Sequence, residues 1–245
     1  MLRVVSYAYW ALICLTCPLF FVGALVVFIV TFPFDRRRVL LHLYSCAWAY
    51  FYVSINPMWK VEITGREHLP WRGRAVLVAN HASLIDILVL FGLYRPYKWV
   101  SKAENFRLPF IGWNMRMNGY VPLVRGDRTS VVKMLAACSR LLKERNPVLF
   151  FPEGTRTKDG QLQAFKDGAF ELAIEHGAPI IPIAVHGTGN ALPKHGVVLR
   201  EHVKGHVEVL PPLRPDDFDD VSVLRDAARD RIAEALRRQT PASGA

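Results

Sequence analysis

The stretch Ala75-Val76-Leu77-Val78-Ala79-Asn80-His81-Ala82-Ser83-Leu84-Ile85-Asp86 decides how this chain is expected to fold. Its first five residues are apolar, which is typical of a buried strand. A second apolar run, Ile87 to Leu93, follows and predicts a helix. His81 and Asp86 therefore lie at a turn from a strand into a helix, where a base and a carboxylate that orients it can meet.

The spacing of His81 and Asp86 restricts how they can meet. On one continuous helix, side chains five residues apart diverge by about 140°, given 3.6 residues per turn. His81 must therefore precede the helix, with Asp86 in the first turn and Ser83 as the N-cap. A purely structural alternative stays open, because Ser83-Leu84-Ile85-Asp86 resembles a capping box with Asp in place of Glu or Gln.

The chemistry of this pair fits activation of a hydroxyl group. Histidine can remove a hydroxyl proton near neutral pH, and a neighbouring carboxylate fixes its tautomer. The sequence contains no Gly-x-Ser-x-Gly nucleophile elbow. We therefore expect direct attack by an acceptor hydroxyl on a thioester, rather than a covalent acyl-enzyme.

A second turn carries groups suited to phosphate. Glu153-Gly154-Thr155-Arg156 follows the apolar run Val148 to Phe151. Glycine lets a backbone approach a ligand closely, and arginine can clamp a phosphate with two hydrogen bonds. Arg125 and Lys102 are further candidates near predicted strands. Each cation alone is most simply a solvated surface charge, but ligand sites of α/β proteins gather at strand ends.

From Lys60 onward, strand and helix patterns alternate along the chain. Amphipathic helices are predicted over Thr129 to Arg145 and Val221 to Arg238. This alternation predicts an α/β fold with a mixed sheet flanked by helices. We expect one α/β domain over residues 60–240, followed by a flexible tail at 241–245.

The N-terminal residues 1–59 are predicted to form a membrane-associated helical hairpin. Val4 to Phe34 carries no charged side chain, and about 20 apolar residues suffice to cross a bilayer. The run is too long for the apolar part of a signal peptide, the main alternative. A second uncharged run, Val39 to Trp59, follows three consecutive arginines, Arg36–Arg38.

Two arrangements of this hairpin remain open. If both helices crossed fully, the arginine turn would be cytoplasmic and the α/β domain would lie on the other side. A shallow or re-entrant pair would leave both on one side. We favour the shallow pair, because the four cysteines give no disulfide framework and the domain looks cytosolic. We therefore expect a cell inner membrane location, with the catalytic domain on the cytoplasmic side.

The charge and histidine pattern limits other function classes. The formal net charge is +10, with basic residues dispersed along the chain. Beside apolar segments this favours anionic lipid over nucleic acid. His202 and His206 are four residues apart with His195 nearby, but Val203 stands where a zinc protease needs Glu. No metal site is expected.

With these motifs assembled, the chain resembles the glycerolipid acyltransferases of the 1-acylglycerol-3-phosphate acyltransferase type. Four blocks match in order over roughly residues 60 to 215, and these are Asn80 to Asp86, Lys102 to Arg125, Phe151 to Arg156, and Ile181-Pro182-Ile183 with His186-Gly187-Thr188-Gly189 after it. The resemblance implies that His81 is the general base and Asp86 its orienter. It implies that Glu153 and Arg156 shape the acceptor site, with Arg125 and Lys102 near the acceptor's phosphate. The substrate-binding residues would then be Glu153, Gly154, Thr155, Arg156, Arg125 and Lys102.

The resemblance also implies a reaction. An acyl group would pass from acyl-CoA or acyl carrier protein to the sn-2 hydroxyl of lysophosphatidic acid at a lipid bilayer, giving phosphatidic acid without a metal or organic cofactor. Alternatives are acylation of another lysophospholipid or of glycerol-3-phosphate, hydrolysis of an acyl thioester, and lipid binding without catalysis.

Overall fold

A computed structural model of the chain describes residues 2–157, 161–189, 191, 198–199 and 202–239. The tail at 241–245 and His195 lie outside the described residues. The helices and strands follow in the order α1 (Leu2–Thr31), α2 (Val39–Ser54), β1 (Trp59–Thr64), β2 (Val76–Ala79), α3 (Ile85–Phe91), β3 (Lys98–Lys102), α4 (Ile111–Met117), β4 (Val121–Leu123), α5 (Arg128–Lys143), β5 (Val148–Phe150), α6 (Gly168–His176), β6 (Ile180–His186), β7 (Val203–Val209) and α7 (Val221–Gln239).

The strands in the described part of the chain form one sheet in the order β1-β7-β6-β2-β5-β3-β4. Strands β6 and β7 pair antiparallel, and the other neighbours pair parallel. Parallel neighbours require crossover connections, which the intervening helices supply. The predicted mixed sheet flanked by helices is confirmed.

Helices cover both faces of the sheet, and this explains the continuous apolar sequence of β2. Val76 and Val78 pack into a core formed with α5, α6 and α7. Leu77 and Ala79 point to the other face, where side chains of α2 and α3 complete a second core. Because every residue of β2 is buried, its strand reads as an unbroken apolar run instead of an alternating one.

Several element boundaries differ from the sequence prediction. The helix predicted with Ser83 as its N-cap begins at Ile85, so Leu84 occupies the N-cap position instead. The sequence from Val207 to Leu210 predicts a last strand, and the observed strand β7 begins four residues earlier, at Val203. Its early residues pair with β1, and such a partner strand is not visible in the local sequence.

Helix α1 is apolar and largely exposed along one side. Within the described residues it is the one helix long and apolar enough to cross a membrane. Its 30 residues extend about 45 Å at ~1.5 Å per residue, against ~30 Å for a hydrocarbon core. The exposed large apolar side chains run along its length at Leu12, Leu15, Leu19, Val22, Val26 and Ile29.

Helix α2 connects α1 to the α/β domain. The Tyr9 hydroxyl of α1 donates to the Tyr52 carbonyl of α2 at 2.6 Å, and the Phe20 and Trp48 rings stack at 5.7 Å. On its other side, α2 packs against α3 and β1. With only 16 residues it is short for a span, and it joins the same core as β2. Thus α1 presents the outer apolar surface and α2 holds it to the domain.

The exposed face of α1 predicts how bilayer binding should respond to a charge. Leu19 is 72% exposed on α1, and Val132 is 66% exposed on α5. We expect Leu19→Asp to weaken partitioning into phosphatidylcholine vesicles about tenfold, because a carboxylate is costly at an apolar membrane-facing surface. The matched Val132→Asp change should have little effect. Equal losses in a flotation assay would show that the α1 face does not contact lipid.

Candidate active site

His81 lies in the loop that follows β2, and several contacts fix this loop. The Asn80 side chain donates to the Val185 carbonyl at 2.9 Å and accepts from the Val185 amide at 2.7 Å, so it pins the strand end to β6. The His81 carbonyl accepts from the Thr157 amide at 2.9 Å. The imidazole stacks on the Phe151 ring, with 4.2 Å between centroids. The ring therefore has one defined position.

The structure brings His81 and Asp86 together. His81 Nδ1 lies 2.9 Å from Asp86 Oδ2, and the Asp86 side chain is fully buried in the first turn of α3. A carboxylate can only accept a hydrogen bond, so Nδ1 carries the proton and Nε2 carries the lone pair. Among the described residues, none hydrogen-bonds Nε2. This is the orientation that a general base requires.

Asp86 also accepts hydrogen bonds from the protein around it. Its Oδ2 accepts from the backbone amides of Ala82 at 2.7 Å and Ser83 at 2.8 Å. The Thr188 hydroxyl, on the loop after β6, donates to Oδ1. Ser83 Oγ in turn accepts from the Ile85 amide at 3.3 Å. Ser83 is therefore not the N-cap of α3, but the bond from its amide to Asp86 that a capping box would contain is present. The same carboxylate pairs with His81.

Glu153 is 4% exposed and is bonded to the backbone on both sides. Its Oε1 accepts from the His81 amide at 2.7 Å, and its Oε2 accepts from the Gln163 amide at 3.0 Å. Burial raises the pKa of this carboxyl group above its usual value, which these two hydrogen bonds partly oppose. Glu153 thus joins the loop after β5 to the loop of His81 and helps to hold the imidazole in place.

A cavity of about 220 Å³ lies at the ends of β3, β4 and β5. Lys102, Arg125 and Thr155 line it, as the sequence predicted for a shared site. Lys102 also pairs with Glu104 at 3.2 Å, but both side chains are about half exposed, so this ion pair restrains it weakly. The cavity therefore offers positive charge beside the Glu153 turn.

Lys166 is a third cation of this cavity that sequence reasoning did not find. It faces Gly154, whose φ of +74° lies in the left-handed region that glycine adopts without strain. A Cβ at Gly154 would come within 2.8 Å of Lys166 Nζ, so the glycine also leaves room for the ammonium group. Arg156, on the same turn, is partly buried but does not line the cavity.

A second cavity, of about 210 Å³, is almost wholly apolar and begins beside Asp86. Leu84 and Ile87 line it, and the chain between them includes Asp86. Its rim at Leu108 and Ile111 is exposed to solvent. The remaining lining side chains come from α2, α3, β3, α4 and adjoining loops, and are Ser45, Trp48, Ala49, Leu88, Phe91, Trp99, Asn105, Asn114, Met115 and Tyr120.

The described residues contain no cluster of three or more His, Cys, Asp or Glu side chains placed to hold a metal ion. His206 Nε2 lies 3.1 Å from the Thr64 hydroxyl. His202 immediately precedes β7.

The oriented imidazole therefore has a basic cavity on the side of Phe151 and an apolar cavity on the side of Asp86, at the strand ends of an α/β sheet. The family model described as Acyltransferase matches residues 60–186, which include the His81–Asp86 pair and the Glu153 turn.

Comparisons with individual proteins agree with the match to the acyltransferase family model. The chain is 41% identical over 240 residues to a 1-acyl-sn-glycerol-3-phosphate acyltransferase of Chlamydomonas reinhardtii, covering 96% of this chain and 70% of that protein. It is 42% identical over 205 residues to a chloroplastic enzyme of the same name from Brassica napus, covering 83% of this chain and 58% of that one. The chain therefore belongs to the 1-acyl-sn-glycerol-3-phosphate acyltransferase family.

A solved structure shares the fold. The crystal structure of the 1-acyl-sn-glycerophosphate (LPA) acyltransferase PlsC from Thermotoga maritima superposes with a TM-score of 0.79 at 23% identity, covering all of both chains. The overall fold is thus shared with a protein of distant sequence.

Thr188 offers a test of the Asp86 contacts. Thr188→Val keeps the shape but removes the hydroxyl that donates to Asp86, so the buried carboxylate loses a partner. We expect kcat to fall about tenfold with KM values nearly unchanged, because the imidazole loses part of its orientation. Thr188→Ser should restore kcat. If both variants match wild type in steady-state assays, Thr188 does not act through Asp86.

Proposed function

We propose that the chain transfers a fatty acyl group from acyl-CoA or acyl carrier protein to the sn-2 hydroxyl of lysophosphatidic acid, giving phosphatidic acid in phospholipid biosynthesis. The observation that carries this proposal is the His81–Asp86 pair, with 2.9 Å between Nδ1 and Oδ2, and the cavities beside it. Phe151, which stacks on the His81 imidazole, lines the basic cavity, and Leu84 and Ile87, on either side of Asp86, line the apolar cavity. The names of the relatives supply the acceptor, since each is called a 1-acyl-sn-glycerol-3-phosphate acyltransferase.

The reaction follows from the protonation state of His81. Nε2 removes the proton from the acceptor hydroxyl, and the oxygen attacks the carbonyl carbon of the thioester. The buried Asp86 carboxylate stabilises the imidazolium that forms. The tetrahedral intermediate then collapses, the carbon–sulfur bond breaks, and the imidazolium returns its proton to the departing thiolate. The histidine ends the cycle neutral.

The basic cavity accounts for a phosphate on the acceptor. Lys102, Arg125 and Lys166 line it together, and the exposed Thr155 adds a hydroxyl donor. A phosphate held there would fix the acceptor relative to the loop of His81, because Glu153 joins the adjoining turn to the His81 amide. Glu153, Gly154 and the partly buried Arg156 would shape this end of the site.

The apolar cavity accounts for an acyl chain that arrives from a bilayer. Its exposed rim lies near α1, since Phe110, directly before Ile111, contacts Phe21 of α1 with 5.8 Å between ring centroids. We propose that residues 1–59 are the membrane-associated part of the chain and that residues 60–240 form the catalytic domain. The cytoplasmic face of a cell inner membrane remains our proposal for its location.

The first test measures acyl transfer directly. Purified protein in mixed micelles receives lysophosphatidic acid with labelled acyl-CoA or acyl carrier protein. We expect phosphatidic acid from wild type and a fall of at least about 100-fold in kcat for His81→Ala, the usual range for a lost general base. His202→Ala removes an exposed histidine and is the matched control.

Each other outcome identifies an alternative. Fatty acid release without an acceptor indicates a hydrolase, and transfer only to glycerol-3-phosphate or another lysolipid indicates a different acceptor. Binding of the lipids without turnover of either donor indicates a lipid-binding protein.

Lys166 tests the phosphate assignment separately. Lys166→Met should raise the KM for lysophosphatidic acid about tenfold and change kcat less, since it removes binding energy and not the base. Lys166→Arg should recover most of the affinity for lysophosphatidic acid. Lys133 is exposed on α5, and the matched change Lys133→Met should leave that affinity unchanged. The KM for monoacylglycerol, which has no phosphate, should be the same in all variants. A loss with that acceptor as well would contradict a phosphate contact.

A further inference from the structure

A second basic cavity lies at the opposite end of the strands from His81. The active-site loops follow the carboxyl ends of β2 and β5, whereas this cavity lies where those strands begin. The connection between α1 and α2 reaches this end of the strands. Arg37 Nε donates to Oδ1 of Asn146, just before β5, at 3.2 Å. Arg38 donates to the Met117 carbonyl, shortly before β4. The cavity is therefore separate from the catalytic site.

Positive charge dominates this cavity, whose volume is about 560 Å³. Arg36, Arg37 and Arg72 line it, against one acid, Asp35. The Asp35 carboxylate is already engaged, since it accepts from the Leu40 amide at 2.7 Å at the start of α2. The cavity thus has at least two more positive charges than negative ones.

Arg37 is an unsatisfied donor in this cluster. Its Nη2 is buried and has no hydrogen-bond partner among the described residues. Burial and the nearby Arg72 lower the pKa of its guanidinium. A buried guanidinium nitrogen without a partner is costly, and an anion that accepted its hydrogen bond would remove that cost.

The rim of the cavity is apolar and aromatic. Phe34 is 68% exposed and Trp71 is 52% exposed. The Arg95 guanidinium lies 4.5 Å from the Trp71 ring centroid, so the indole is oriented by a cation–π contact. Phe32 continues this surface to the exposed side of α1. A free anion in water needs no such rim, whereas a lipid headgroup lies between a polar layer and an apolar one.

We propose that the cavity of Arg36, Arg37 and Arg72 binds the phosphate headgroup of an anionic phospholipid in the bilayer. Trp71, Phe34 and Leu40 enter the interface around that headgroup, and α1 continues from it along the apolar surface. The contact fixes how the domain sits on the membrane from the edge remote from His81. It rests on the proposed bilayer association and not on acyl transfer.

The test compares binding to two kinds of vesicle. Full-length protein is mixed with phosphatidylcholine vesicles, with or without about one fifth phosphatidylglycerol, and its partitioning is measured by flotation. The ratio of the two partition coefficients removes the apolar contribution of α1. In Arg36→Gln/Arg72→Gln, whose side chains are both exposed, this ratio should fall at least about tenfold, since each basic residue at an anionic surface contributes several-fold.

Matched variants separate a site from general charge. Arg231→Gln/Arg237→Gln removes two exposed arginines from α7 and should leave the ratio as in wild type. An equal loss in this control would overturn the proposal in favour of diffuse attraction. Arg36→Lys/Arg72→Lys keeps the charge and should keep most of the preference. In wild type the ratio should fall steeply with added sodium chloride, and a flat salt response would also overturn the proposal.

Two further arms distinguish the ligand and the reaction. Inorganic phosphate at constant ionic strength should leave the wild-type ratio unchanged. If millimolar phosphate abolished the preference for anionic vesicles, the cavity would be a site for free phosphate and the headgroup proposal would be overturned. His81→Ala should bind both vesicles like wild type. A wild-type protein that prefers anionic vesicles but transfers no acyl group would refute the proposed function and leave this inference standing.

Discussion

The buried Asp86 carboxylate is the contact on which the site depends. A charged carboxylate without partners would be strongly destabilised in this position, so its neighbours must supply donors. They do so from His81, from the backbone at Ala82 and Ser83, and from Thr188. These donors come from the loop after β2 and the loop after β6. The same bonds that make burial of the charge tolerable therefore bring two strand ends into a fixed arrangement around the imidazole.

Glu153 extends this arrangement to the third strand end. It is buried like Asp86, but its oxygens accept hydrogen bonds from the backbone amides of His81 and Gln163, and in the described part of the chain from no side chain. Two acids of similar burial therefore differ in what they can do. Asp86 contacts the imidazole and can stabilise its charge, whereas Glu153 can only hold the loop. In the sequence both appear as acids at strand ends, and only their contacts separate them.

The parts of the site that the sequence predicted are those with local causes. The angle between residues five apart on a helix was enough to place His81 before α3 and Asp86 in its first turn. The alternation of apolar runs was enough for the mixed sheet. Lys166 was not assigned a role, because the fold of the connection from β5 to α6 brings it back to Gly154. Thr188 was not assigned one, because its relation to Asp86 depends on strand order. That order brings residues about 100 positions apart into contact, as for Thr188 and Asp86, and no local pattern encodes it.

The same reasoning explains why the N-terminal segment was only partly understood from its composition. The two uncharged runs look alike in sequence, yet α1 exposes one side while α2 packs against α1, α3 and β1. Composition reports how apolar a helix is and not what covers it. The three arginines between the helices are a second example. In the sequence they indicated only a membrane boundary, because their contacts are not visible there. Because Arg37 reaches Asn146 just before β5, two of these arginines, Arg36 and Arg37, line a cavity together with Arg72. The docking of α1 and α2 thus places exposed apolar side chains along α1 and a basic cavity at the end of the strands remote from His81. On the bilayer association proposed above, these two features together would orient the domain on a membrane.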